Sequence, residues 1–243
     1  MSMPSHYFFE NQLPKRNGKM IITSTIVLAI LSSAMASPTP NVKRAGEVQG
    51  FDISHYQSNV DFESAYDGGL RFVYIKATEG TDYTDPKFSD HYTAATDAGF
   101  IRGGYHYAHG TASATTQANH FAENGGGWTN DGRTLPGMLD MEGSCSGFSD
   151  SWVKEFNAAY HAKTGRYPVI YTSPAWWKEC MGDSSAFVDT NPLNLAHYAS
   201  SAGTPPGGWP YYTFWQYNAA SEYGGDSDVF NGDLTQLKKL ATD

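Results

Sequence analysis

Cysteine is scarce in this chain. Cys145 and Cys180 are the only two among 243 residues, and no group of His and Cys shows metal-ligand spacing, so no metal site is expected. Positive charge is scarce too: sixteen Lys and Arg stand against 25 Asp and Glu, which argues against nucleic acid or an anionic membrane as a partner. Asn-x-Ser/Thr sequons are absent, so N-glycosylation is not expected. The Gly-x-Ser-x-Gly elbow of serine hydrolases is missing, because Gly143-Ser144-Cys145-Ser146-Gly147 sets both serines off its centre. Gly125-Gly126-Gly127 lacks the Lys-Ser/Thr that would complete a phosphate loop. No cofactor is expected.

Long apolar runs are also lacking. Residues 20–31 come nearest, and they are too short to cross a bilayer of roughly 30 Å as a helix. They follow Lys15, Arg16 and Lys19 and precede Ser32-Ser33-Ala34-Met35-Ala36, which reads as a secretory signal peptide over residues 1–36, with Met20 as an alternative start. Residues 37–44 end in Lys43-Arg44 and read as a short propeptide with a dibasic processing site. The remaining chain, 45–243, is long enough for one well-buried domain, and no repeat or linker divides it. Residues 1–44 hold five bases and one acid, so 45–243 carry 11 bases against 24 acids, a charge of −13. In a secreted protein an even pair of cysteines forms a disulfide. Joining Cys145 to Cys180 closes a loop of 35 residues, a stabilisation of roughly 3–4 kcal/mol if chain entropy dominates.

From residue 48 onward, short β-branched and aromatic runs alternate with helical stretches. Strands are expected at 48–53, 72–78, 101–108, 136–142, 168–172, 195–199, 211–217 and 228–230, and helices at 61–69, 86–98, 112–124 and 149–164. Asp85-Pro86 reads as an N-cap and first-turn proline, Gly99 and Gly165 as helix stops. This alternation predicts a mostly parallel sheet, and eight strands permit closure. Beyond Asn191 the connections are turn-rich, as in Thr204-Pro205-Pro206-Gly207-Gly208. The expected fold is therefore α/β: an irregular TIM-like barrel, helix-poor in its C-terminal part.

Parallel barrels place their active sites at the C-terminal ends of the strands. Acids stand at four such ends: Asp52, Glu79, the pair Asp140 and Glu142, and the segment holding Asp226 and Asp228. Asp140 and Glu142 are two apart on a strand, so they project from one face with Cα atoms about 6–7 Å apart. Two close carboxylates repel, so one keeps its proton to higher pH, as a general acid beside an ionised partner requires. Glycosidic cleavage uses such pairs. An isolated Asp-x-Glu could instead cap a helix or bind an ion, but Asp52 and Asp226 at further strand ends favour catalysis. Tyr56, Tyr105, Tyr107, Tyr171, Trp215 and Tyr217 also fall at strand ends, where aromatic faces can pack on pyranose rings.

Together these residues resemble the glycoside hydrolase family 25 lysozymes, which are muramidases. The matching segments are Gly50-Phe51-Asp52-Ile53-Ser54 with Tyr56-Gln57, Phe72-Val73-Tyr74-Ile75-Lys76-Ala77-Thr78-Glu79-Gly80, Gly104-Tyr105-His106-Tyr107, Leu139-Asp140-Met141-Glu142 and Trp215-Gln216-Tyr217, ending with Asp226 ahead of Val229-Phe230-Asn231-Gly232. The resemblance implies a secreted, cofactor-free monomer that hydrolyses the β-1,4 bond between N-acetylmuramic acid and N-acetylglucosamine in bacterial peptidoglycan. It implies Glu142 as proton donor and Asp140 as its partner, either a nucleophile or a group orienting the substrate acetamide. Asp52 and Asp226 would complete the acidic cleft. Tyr56, Lys76, Tyr105, Tyr107, Tyr171, Trp215, Gln216 and Asp228 would bind substrate, and counting back from Phe230-Asn231-Gly232 favours Asp226 over Asp228 as the cleft residue. The Cys145–Cys180 pair resembles the disulfide of the fungal members. A chitinase-like barrel would need a longer Asp-x-x-Asp-x-Asp-x-Glu run, and residues 135–139 contain no second Asp. A catalytically inactive wall-glycan-binding module would have no need of every expected acid.

Overall fold

The structure is a computed structural model that describes residues 46–242; the signal peptide and propeptide expected over 1–36 and 37–44 lie outside the described residues. In chain order the elements are β1 (Val48–Ile53), α1 (Phe62–Asp67), β2 (Phe72–Glu79), β3 (Tyr83–Thr84), α2 (Phe88–Asp97), β4 (Ile101–Tyr107), α3 (Ala114–Glu123), β5 (Met138–Asp140), α4 (Asp150–Thr164), β6 (Val169–Thr172), α5 (Pro174–Met181), β7 (Leu193–Ala196), β8 (Phe214–Asn218), β9 (Asp226–Phe230) and α6 (Leu234–Leu240). Parallel pairing runs β1–β2–β4–β5–β6–β7–β8. β9 closes the ring between β8 and β1, antiparallel to both, and β3 hangs outside it on β2. The reversal has a simple cause. Residues 219–225 join β8 to β9, and so short a link cannot make the crossover of a dozen or more residues that a parallel neighbour needs. The first residues of β9 therefore lie at the end of the barrel where the other strands finish.

The pleat sorts each strand into two faces. Val48, Phe72, Tyr74, Ile101, Met138, Val169, Phe214 and Phe230 fill the barrel, joined by Leu237 of α6. Gly50 and Gly103 make room for two of these rings, since a Cβ would fall 2.5 Å from Phe72 and 2.6 Å from Tyr74. Leu139, Met141, Ile170, Leu195, Trp215 and Val229 face outward onto residues of α3, α4 and α5. Phe51, Ile53, Val73 and Ile75 do the same with α1 and α2 residues.

The irregular α/β barrel is as expected, and no helix separates β7 from β8 or β8 from β9. Local readings needed correction. α2 starts at Phe88 with Lys87 at its N-cap, and the Asp85 carboxylate, which accepts from the Lys87 amide and from the His55 amide and ring, caps the turn that leads into it. β3, α5 and α6 are additions. α5 has the Ser173 cap and Pro174 in its first turn, and α6 has a capping box between Asp233 and Gln236. Cys145, in the loop after β5, is bonded to Cys180 on α5. Among the described residues no helix is long and apolar enough to cross a membrane.

Candidate active site

Asp52, Asp140, Glu142 and Asp226 converge at one end of the barrel, around a cleft of about 510 Å³. Strand register brings them there. Asp52, one residue before the end of β1, lies opposite Asp226, which opens β9; Tyr107, Asp140 and Tyr171 lie on one rung of β4, β5 and β6. Met138, Tyr171 and Gln216 make the floor beneath them. A hollow of equal volume opens at the opposite end, beside the starts of β7 and β8, but Asp189 is its only carboxylate. The chemistry points to the acidic end.

Burial raises Asp52, Asp140, Glu142 and Asp226, and repulsion from neighbouring carboxylates adds to it at the first three. Asp140 is 7% exposed, and burial first, then the charges of Glu142 and Asp52, push it well above the ordinary carboxylate range, with Lys76 opposing. Glu142 is exposed at the cleft mouth and rises less, through partial burial and the charge of Asp226, again opposed by Lys76. Burial and the charge of Asp226 lift Asp52 to about 7, against hydrogen bonds from Gln216 and Asp228. Burial raises Asp226. Five carboxyls within one barrel end thus hold protons more tightly than they would in water, counting Asp228 below them.

The walls combine aromatic rings with one cationic patch. Lys76 donates to Glu79 at 2.6 Å and sits 5.1 Å from the centre of the Tyr107 ring; His109 donates to the other oxygen of Glu79 at 2.9 Å. Burial would raise Glu79, but these two donors outweigh it and hold the carboxylate below its usual range. Tyr56, 81% exposed, stands at the rim with its ring 4.2 Å from that of His55. The loop carrying Gly143 is fixed to α5 twice, by the disulfide and by the Trp176 indole donating to the Gly143 carbonyl at 3.0 Å. Among the described residues no group of three or more His, Cys, Asp or Glu is arranged to hold a metal ion.

Residues 51–226, which span the cleft from Asp52 to Asp226, match the family described as Glycosyl hydrolases family 25. The chain belongs to that family. It is 55% identical over 232 residues to the N,O-diacetylmuramidase of Arthroderma benhamiae, covering 91% of this chain and 99% of that protein. It is 46% identical over 209 residues to Lysozyme M1 of Streptomyces globisporus, 80% of this chain and 71% of that one. Its structure is similar to that of a family GH25 lysozyme from Aspergillus fumigatus, with a TM-score of 0.79, 50% identity, and coverage of 81% and 100%. The protein is a glycoside hydrolase of the lysozyme type.

Within this family 25 cleft, Tyr56, Lys76, Tyr105, Tyr107, Tyr171 and Gln216 all line the walls or floor, but two expected substrate residues do not. Trp215 is 5% exposed, packs among the outer-layer residues and donates its indole N–H to the His197 carbonyl. The pleat forces this: Gln216 faces inward, so its neighbour must face out. Tyr217 shares that outer side, its hydroxyl donating to Gln49. Asp228 is fully buried one pleat below Asp226 and cannot touch a sugar, so Asp226 is the cleft residue. Sequence reasoning missed Tyr198. It follows β7, half of its ring is open to solvent, and its hydroxyl donates to Gln216 at 2.8 Å. The residue sits just beyond a strand end expected too late in the chain, which hid it. His109, two residues past β4, was visible but had no evident partner until Glu79 came beside it.

Proposed function

We propose that this family 25 enzyme is a secreted muramidase that hydrolyses the β-1,4 bond between N-acetylmuramic acid and N-acetylglucosamine in bacterial peptidoglycan, with Glu142 as proton donor and Asp140 as its partner carboxyl. The observation that carries this reading is the pair itself: an exposed Glu142 at the cleft mouth beside a buried Asp140, both raised. Close carboxyls titrate as a unit. In the open cleft burial favours the proton on Asp140; a sugar ring covering Glu142 strips water from it and raises it in turn. Glu142 then protonates the glycosidic oxygen as the bond from the muramic acid C1 to that oxygen breaks. Asp140, deep and weakly acidic, is a poor nucleophile, which suits it to hold the substrate acetamide so that its carbonyl oxygen closes on C1. Asp52 and Asp226 face the positive charge that develops there. Water then adds to C1 as the bond from C1 to the acetamide oxygen breaks, and gives a proton back to Glu142.

The exposed Tyr56 and the tyrosines of the walls offer faces for pyranose rings. The Cys145–Cys180 bond and the basic-apolar-small pattern of residues 15–36 support secretion. Mass spectrometry of the new reducing ends tests the reading. Purified peptidoglycan should yield N-acetylmuramic acid at the reducing end, chitin almost no product, and de-N-acetylated walls far less than acetylated ones. Reducing-end N-acetylglucosamine would overturn the bond assignment, and undiminished cleavage of de-N-acetylated walls would return Asp140 to the role of nucleophile.

A further inference from the structure

Asp228 is a buried acid that the chemistry above does not use. It lies on β9 opposite Gly50 of β1 and Gln216 of β8, with no exposed surface, and no protein N–H or hydroxyl reaches either of its oxygens. The carboxyl of Asp52, two residues along β1 from Gly50, is its neighbour toward the cleft. Two carboxyls can share a hydrogen bond only if one carries a proton, and the surrounding network says which. The hydroxyls of Tyr171 and Tyr198 both donate to Gln216 Oε1, at 2.9 and 2.8 Å, which turns Gln216 Nε2 toward Asp52 Oδ2 at 2.6 Å. Every donor in this chain points toward Asp52, so Asp52 is the acceptor at its end.

We propose that Asp228 is a positioning residue that keeps its proton throughout the working range, donates it to Asp52, and with Gln216 makes Asp52 the carboxyl of the pair that ionises and faces the cleft. Asp228 is the better proton keeper because it has no water, whereas Asp52 opens on the cleft. The charges that face Asp52 are Asp226 across the β1–β9 ladder and Asp140 and Glu142 from the β5 side. The phenols of Tyr105, Tyr171 and Tyr198 face it from β4, β6 and the segment after β7. Asp228 itself interacts with Asp52, Asp226, the phenol of Tyr74 on β2 and that of Tyr217 on β8. A neutral Asp228 adds no further negative charge to this set and offers Asp52 a donor; an ionised one would repel it.

The inference rests on Asp52 being part of the acidic cleft, and its first test needs no turnover. Infrared difference spectra at pH 7, wild type minus Asp228→Asn, should show a protonated-carboxyl C=O stretch that the variant lacks. A carboxylate band in that difference would overturn the proposal whatever the enzyme's activity. The pH profile of kcat/KM is the second test. Asp228→Asn keeps a donor to Asp52 and should leave the acidic limb in place, whereas Asp228→Leu removes it and should move that limb up by about one to two pH units, the worth of a hydrogen bond to a charged group. An acidic limb that falls in Asp228→Asn would show that Asp228 is ionised in the working enzyme. Should Asp228→Leu fail to fold, the infrared comparison on Asp228→Asn decides alone.

Discussion

Replacing Asp52 by Asn should stabilise this protein, and by more the higher the pH. In the folded chain Asp52 rises from 3.8 to about 7, chiefly because the barrel end removes it from water and because Asp226 lies opposite. A group raised on folding contributes its full share of stability below the unfolded value near 3.9 and loses it as pH climbs through the folded value. For Asp52 the window is therefore pH 4 to 7. At 1.36 kcal/mol per pH unit the loss has a ceiling on the order of 4 kcal/mol, a ceiling because Asp52 keeps some contact with cleft water. For a domain of this size that corresponds to roughly 8–16 °C in Tm. Parent and variant should be compared by calorimetry at pH 4 and pH 7.5. The difference between them cancels other groups that titrate in the window, notably His106. Burial lowers that buried histidine to about 4, so its share of stability is present above its unfolded value and is lost as pH falls. Asp131 does not intrude: burial would raise it, but Arg102 and the Arg133 and Thr134 amides hold it at about 2, so its contribution fades only below pH 4. The Tm gap between Asp52→Asn and parent should be small at pH 4 and open by several degrees at pH 7.5. A gap that is constant with pH, or a parent more stable at pH 7.5, would refute the claim that folding raises Asp52.

Changing Cys145 and Cys180 together to Ser should cost roughly 3–4 kcal/mol for the 35-residue loop, visible as a Tm lower by about 6–16 °C; an unchanged Tm would contradict it. Trp215→Ala should destabilise by about 3–5 kcal/mol with little change in KM, whereas Tyr56→Ala should leave Tm alone and raise KM about 5–10-fold, the worth of one ring contact. The reverse pattern would put Trp215 in the cleft after all. Over residues 45–243 the charge is −13 and peptidoglycan carries carboxylates, so at pH 7 salt near 0.1 M, with a Debye length of about 10 Å, should speed attack on intact walls yet barely affect a short uncharged glycan. Salt inhibition of wall lysis would count against long-range repulsion.

The barrel could be read from the alternation of strands and helices, and the acids from the two-residue spacing of Asp140 and Glu142 together with Asp52. These are local patterns, and they bring the acids to one barrel end, although β5 itself stops at Asp140 and Glu142 lies just past the strand expected to carry it. What could not be read was set by long-range pairing. The direction of β9 depends on which strands flank it, so Asp226 appeared as a strand end although it is a strand start. Trp215 and Gln216 were both expected to bind substrate, yet adjacent strand residues cannot face the same way, and only the barrel reveals which one points in. Asp228 shares its face with Asp226; two residues of depth separate a sugar-facing acid from a buried one, and depth is not written in periodicity. α5 was missed despite Ser173 and Pro174 because its eight residues make little more than two turns, too short a stretch for periodicity to separate helix from strand.

Everything in the proposed chemistry turns on Glu142 as the proton donor. Glu142→Gln preserves shape and leaves no proton to give. On purified peptidoglycan kcat should fall by at least about 10²–10⁴-fold, with binding to the walls retained and Tm at pH 7 unchanged or slightly higher. A purified Glu142→Gln protein that still lyses walls at a substantial fraction of the parent rate would contradict it.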